Sequence, residues 1–337
     1  MVRSDFIMEV RGYLINPAER RLRTPWRLIV WTFLAGFVGI VLGALFGVVP
    51  APERTTGLTP ALYAIAEQTW GFLALSVGGL GIGYLLDRRT LADYGLDPDR
   101  QWWRDAGFGL ALGFGLPTLA LAGQVAVGFT TVTGVLSTSP TDSFVFGTTG
   151  ALVRLALLVP FFVVQASAEE IIVRGYLLTN LAEGLAGTLG KWRAVVAATA
   201  ATGALFGLLH FANPSASLLS TVNITLYGIL LGACYVLTGR LAIACGFHVA
   251  WNYTLSLWDF PVSGLDTGAA LLSTESTGPA VVTGGRFGIE GGLVALPLLV
   301  VGTAALAWWV HREYGEVEIL EAIATPDLRI RTRSIDS

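Results

Sequence analysis

About eight runs of Leu, Val, Ala, Phe and Gly constrain this chain more than any other feature, each near the roughly 20 residues a helix needs to cross a hydrocarbon core. They fall at 27–49, 61–86, 105–129, 149–178, 193–211, 218–237, 241–258 and 288–309. A backbone in lipid has no water to bond, so such runs close their hydrogen bonds internally, as helices. The reading is an all-α fold: a polytopic transmembrane helical bundle of about eight helices enclosing a polar intramembrane cavity. Composition agrees, with 53% hydrophobic and 13% charged residues, roughly half the charged share of a soluble domain. Glycine recurs through the runs, as expected where helices approach closely.

A net charge of −3 supplies no basic stripe, so nucleic acid is not an expected partner. Cys234 and Cys245 both fall in apolar runs, which argues against a disulfide framework and against a thiolate zinc site. Residues 1–26 are too polar and too rich in arginine for a secretory signal and read as a cytoplasmic tail. The bundle then covers 27–311, and 312–337 form a second tail. Positive charge orients the chain. Arg3, Arg11, Arg20, Arg21, Arg23 and Arg27 precede the first run, and Arg312, Arg329, Arg331 and Arg333 follow the last. Arg88, Arg89, Arg100, Arg104, Lys191, Arg193 and Arg240 sit in alternate loops, while the remaining loops hold only Arg54 and Arg286. By the positive-inside rule both termini face the cytoplasm, as expected for a multi-pass protein of the plasma membrane. The loop 87–104, with Trp102 and Trp103, reads as an interfacial linker, and the Gly-, Ser- and Thr-rich loop 259–287 as an external connector.

Ionisable groups near the bilayer centre cost about 2.5–3.5 kcal/mol each on insertion scales. The fourth run carries Glu169, Glu170 and Arg174 within six residues of otherwise apolar helix. Glu170 and Arg174 are four apart, acid before base, and can pair on one helix face. Glu169 points about 100° away and its neighbour four residues on is Val173, so no such partner serves it. A carboxylate unpaired in a low dielectric suits a general base. Three histidines exist. His311 beside Arg312 suits the interface, whereas His210 and His248 lie in apolar runs. His248 and Asn252 share a helical face and could aim donors at one oxyanion. Two His and a Glu are also the minimum protein ligands of an open catalytic zinc, here assembled across helices.

In this order, Glu169-Glu170-x-x-x-Arg174, Phe206-x-x-x-His210 and His248-x-x-x-Asn252 resemble the CPBP intramembrane metalloproteases, which include the type II CAAX prenyl endopeptidases and bacteriocin-processing or immunity proteins. The resemblance spans a protease core of about 149–258, the other runs matching only as generic spans. It implies that Glu169, helped by His210, activates water and that His248 and Asn252 stabilise the oxyanion, with Glu170 and Arg174 as a supporting pair. The implied cofactor is Zn²⁺ or another divalent metal on Glu169, His210 and His248, with metal-free Glu-activated water as the alternative. The implied partners are the lipid bilayer and a membrane-embedded or lipidated peptide substrate; nothing specifies an oligomeric state.

Depth poses a difficulty for straight helices. At 1.5 Å per residue His248 stands about 12 Å from the Arg240 end and His210 roughly 25 Å from Lys191. For them to meet, either the fifth helix begins outside the membrane or Asn213-Pro214 dips into a water-filled cavity, where irregular backbone is allowed. Two other functions fit the same polar residues: a proton- or ion-coupled transporter, whose inverted repeat is not evident in this sequence, and a non-catalytic membrane scaffold or immunity protein.

Overall fold

The computed structural model describes residues 12–17, 19–50, 58–138 and 147–329. Arg3, Arg11, Arg54, Arg331 and Arg333, which entered the charge reading, lie outside them. The main helices are α1 (Thr24–Ala44), α2 (Leu58–Leu86), α3 (Arg100–Ala126), α4 (Gly147–Glu170), α5 (Thr179–Leu189), α6 (Lys191–Leu209), α7 (Leu218–Thr238), α8 (Ala242–Leu257) and α9 (Ala295–Tyr314). A π-helical segment, Ile171–Leu178, joins α4 to α5 without a break.

The polytopic bundle stands, with differences in count and limits. Seven described helical segments are long and apolar enough to cross a membrane. The run at 241–258 is not among them, because α8 has only 16 residues, or about 24 Å. It starts where Leu241 N–H bonds Gly95 O at 3.1 Å and ends before Asp259, which has φ +60°. The fourth run, expected to stop at 178, continues as a 42-residue rod, Thr148–Leu189. The last helix starts at Ala295 instead of 288, because Gly284, Gly285 and Gly288 take positive φ and the segment coils into 3₁₀ turns. The fold is also not purely helical: β1 (Ile15–Asn16) pairs with β2 (Arg21–Leu22), and β3 (Thr130–Thr138) pairs antiparallel with β4 (Ala269–Ser276). The loop 259–287 is thus more than a connector, since it supplies β4 and closes over the end of α4.

Two features hold α8, which carries His248 and Asn252. The first is a close crossing with α3, allowed only by the absence of side chains. A Cβ on Gly109 would stand 2.4 Å from Ile243 O, one on Gly113 2.2 Å from Phe247 O, and one on Gly246 2.4 Å from Ala106 O. Such small-residue contacts let backbones touch where lipid provides no hydrophobic drive. The second lies at the α7–α8 turn, where Nη1 and Nη2 of Arg240 donate to the two oxygens of Asp99, at 2.6 and 2.8 Å. Asp99 also caps α3 by accepting from Trp102 N–H. The Arg240 hydrogen bond holds the Asp99 carboxyl below its ordinary range. The pair is exposed, so it orients the turn more than it stabilises it.

One end of the bundle gathers the first and the last described segments. Glu183 of α5 accepts from Arg21 at 2.8 Å, Arg27 at 3.0 Å and Arg89 at 2.9 Å, and all three guanidiniums are buried. Asp93 binds Arg89 from the other side and accepts the Asp327 N–H at 3.0 Å. Further back along the same tail, Leu320 N–H bonds Val236 O, while Ile323 and Ala324 are buried. The described parts of both tails therefore pack on the same face.

Gly113→Ala is expected to cost about 1–3 kcal/mol through overpacking against α8. Thermal unfolding in detergent measures this, with Gly123→Ala as control, since a Cβ there meets nothing within 4 Å.

Candidate active site

Glu169, His210, His248 and Asn252 all line one cavity of about 600 Å³. Its walls are mostly apolar, with Phe72, Leu158, Phe161, Phe206, Phe247 and Trp251 among them. The sequence-predicted residues thus come together, and the depth difficulty is resolved by the length of the α5–α6 hairpin. Counted from its turn at Gly190, Glu169 and His210 both stand roughly 30 Å away. Leu241, at the start of α8, packs at Gly175, where a Cβ would lie 3.4 Å from Leu241 Cδ1. Gly175 is itself roughly 22 Å from the hairpin turn, and His248 adds roughly 10 Å. Thus α6 begins well beyond the level where α8 begins, and His210 and His248 reach a similar depth. Asn213 also borders the cavity, its Nδ2 donating to Ser263 O at 3.0 Å.

Glu170 does more than support. Fully buried, its Oε1 accepts from Arg174 Nη1 at 2.9 Å and from His248 Nδ1 at 2.8 Å. The expected i, i+4 pair is present, although the helix widens to a π-turn between its members. Arg174 Nη2 donates to Gly228 O at 3.0 Å, anchoring the pair to α7. Because Nδ1–H is given to Glu170, neutral His248 presents an unprotonated Nε2 to the cavity. That Nε2 lies 3.8 Å from Glu169 Oε2. His210 is oriented similarly, with Nδ1 donating to Phe206 O at 2.7 Å and Nε2 left as an acceptor. Phe206 lies tilted against the His210 ring at 4.6 Å, meets the His248 ring edge-on at 5.9 Å and lies 4.5 Å from the Arg174 guanidinium.

Glu169 was expected to lack a helical partner, because only the position four residues on was considered. The position four residues back supplies one: Gln165 Nε2 donates to Glu169 Oε1. The Glu169 Oε2 atom is buried with no protein partner among the described residues. Gln165 was missed, though a polar side chain one turn before Glu169 in an apolar run was a usable signal. Glu290 was missed too. It sits in the cavity wall and accepts from Trp251 Nε1 at 2.9 Å, Ser263 N–H at 2.7 Å and Ser263 Oγ at 3.0 Å. It thereby ties loop 259–287 to α8. Helix α2, expected only as a generic span, contributes Ile65, Gln68, Phe72 and Leu75 to the wall.

The donor set for a metal is less favourable. Among the described residues no three of His, Cys, Asp and Glu come close enough together to hold a metal ion. Glu169, His210 and His248 share the cavity without forming a ligand cage, which needs bonds of about 2.0–2.2 Å to one centre.

Residues 151–254 match the family described as type II CAAX prenyl endopeptidase Rce1-like. This stretch contains all three motifs, so the resemblance read from them holds over that segment. An uncharacterized protein of Bacillus subtilis (strain 168), YyaK, is 26% identical over 282 residues, covering 78% of this chain and 87% of its own. No solved structure matches the chain.

Glu170→Ala would strand the buried Arg174 charge and free the His248 ring. It is expected to cost about 3–5 kcal/mol, read as a fall in the detergent melting midpoint. Glu169→Ala, which breaks no ion pair with an arginine, is expected to leave that midpoint near the wild-type value.

Proposed function

We propose that this protein is an intramembrane endopeptidase that hydrolyses a peptide bond in a membrane-embedded or lipidated substrate, prenylated C-termini included. The observation that carries this reading is the 3.8 Å gap between Glu169 Oε2 and His248 Nε2 in the wall of a largely apolar cavity. The gap is too long for a direct hydrogen bond and suits a water molecule bonded to both atoms.

In this reading Glu169 is the general base. It removes a proton from that water, and the oxygen attacks the scissile carbonyl carbon. His210 Nε2 helps to orient the water. The tetrahedral oxyanion accepts from the Asn252 amide and from His248, whose Nε2 becomes a donor once Glu169 hands it the proton taken from the water. Glu170, bonded to Nδ1, stabilises the imidazolium so formed, much as a buried carboxylate serves a catalytic histidine elsewhere. The proton taken from water then passes to the amide nitrogen as the C–N bond breaks. A low-dielectric cavity strengthens each of these electrostatic contacts. Because the ligand geometry does not favour a metal, each step is assigned to these side chains.

The same reading takes the face holding both tails as cytoplasmic, in a protein of the plasma membrane. Support comes from the packing of Arg21, Arg27 and Arg89 on that face together with the arginine-rich tails.

Purified protein is expected to cleave members of a panel of membrane-embedded and prenylated peptides. Glu169→Ala and His248→Ala should each abolish cleavage while the protein stays folded. Wild-type rates in both variants would sink the protease reading. Treatment with a chelator is expected to leave turnover unchanged.

A further inference from the structure

Gln165 links the two halves of the proposed chemistry. On α4 it lies one turn before Glu169, and its Nε2 donates to Glu169 Oε1. Across the helix interface its Oε1 accepts from Asn252 Nδ2 of α8 at 3.1 Å. All three residues line the cavity. The backbone carbonyl of Asn252 is held by Ser256 Oγ at 3.1 Å, so that residue is fixed at its main chain as well.

The amide of Gln165 has one orientation that satisfies both neighbours. An ionised carboxylate can only accept, so Nε2 must face Glu169; turned around, two acceptors would oppose each other. With Nε2 so placed, Oε1 must face Asn252, and Asn252 must turn its nitrogen toward Gln165. One Asn252 N–H is thereby used, and the other is left for the cavity on the same nitrogen.

We propose that Gln165 is a positioning residue that holds the Glu169 carboxyl in its water-facing pose and aims the Asn252 amide at the oxyanion. The proposal rests on the endopeptidase reading above. It goes beyond the three motifs, since Gln165 belongs to none of them.

The test compares wild type with Gln165→Met, which keeps the length and loses both hydrogen bonds, and Gln165→Glu. The latter keeps an acceptor for Asn252 but sets an acceptor against Glu169. Cleavage kinetics and thermal unfolding are measured on the full chain in detergent or bilayer. For both variants kcat is expected to fall about 10- to 100-fold, the scale typical of groups that orient catalytic ligands. KM should stay within about 2-fold and the melting midpoint near wild type, because a group acting only on the reacting geometry spares uniform binding. In an Asn252→Ala background, Gln165→Met should cost much less than it does alone, since the two act as one unit. Wild-type kcat in either folded variant overturns the proposal. So does a loss of kcat that only tracks a falling melting midpoint, or a collapse of both variants, either of which makes Gln165 a packing residue. These outcomes are separable from failure of the protease reading. That reading falls if the wild type does not cleave, or if Glu169→Ala and His248→Ala cleave normally, whatever Gln165 does.

Discussion

The structure depends on one buried carboxylate that serves two partners. Glu170 is fully buried, with Arg174 on one side and the His248 ring on the other. In a low dielectric such a charge is tolerable only when its partners are close and well aligned. Burying this charge therefore requires α4, the π-turn and α8 to keep their spacing, and Arg174 extends the requirement to α7 through Gly228 O. The same interaction sets the His248 tautomer, hence what the histidine offers to the cavity. Stability and chemistry here share atoms.

The rest of the fold can be read as what brings α8 to Glu170. Glycines at the α3 crossing let the backbones come within contact distance, so a 16-residue helix is held deep in the bundle without spanning it alone. Below it, the α5–α6 hairpin extends beyond the α7–α8 turn and is clamped by three arginines on Glu183. That clamp joins the N-terminal segment, the loop after α2 and the hairpin, and the C-terminal segment packs alongside through Asp93. On the other side, Glu290 binds Trp251 and Ser263, so the loop before α9 closes the cavity and the α8 face is held from both ends. Helix α2 supplies one wall, apolar apart from Gln68.

Much of the site was legible because charges in apolar runs are costly enough to be rare. Glu169, Glu170, Arg174, His210, His248 and Asn252 stand out against Leu, Val and Ala, and spacing alone paired Glu170 with Arg174. Gln165 and Glu290 were harder to see. A glutamine one turn before Glu169, or a single carboxylate near a glycine-rich turn, is a weaker signal than a charge, and the partners that give each its role, Asn252, Trp251 and Ser263, lie on other segments. The π-turn was hidden for a related reason. Nothing in Ile171–Leu178 departs from an ordinary apolar helix, and packing decides how wide the turn is. Helix ends were misjudged where polar residues enter a helix that continues, as at Thr179 and Asn180 after 178, or where composition is apolar and glycine-rich before a helix begins, as at 288.

By itself the sequence determined that the chain is a helical membrane bundle, since hydropathy and the need to satisfy the backbone in lipid leave little else. It also singled out the side chains for which a role has to be sought, because their insertion cost is high. Tertiary structure alone decided their relations. Glu170 rather than Glu169 holds His248, Glu169 has Gln165 as its partner, and His210 reaches the level of His248. These facts depend on where one helix begins relative to another, and that offset is set by contacts between segments far apart in the chain. The feature that first defined the chain, its apolar runs, fixed the medium; the offsets between those runs made the site.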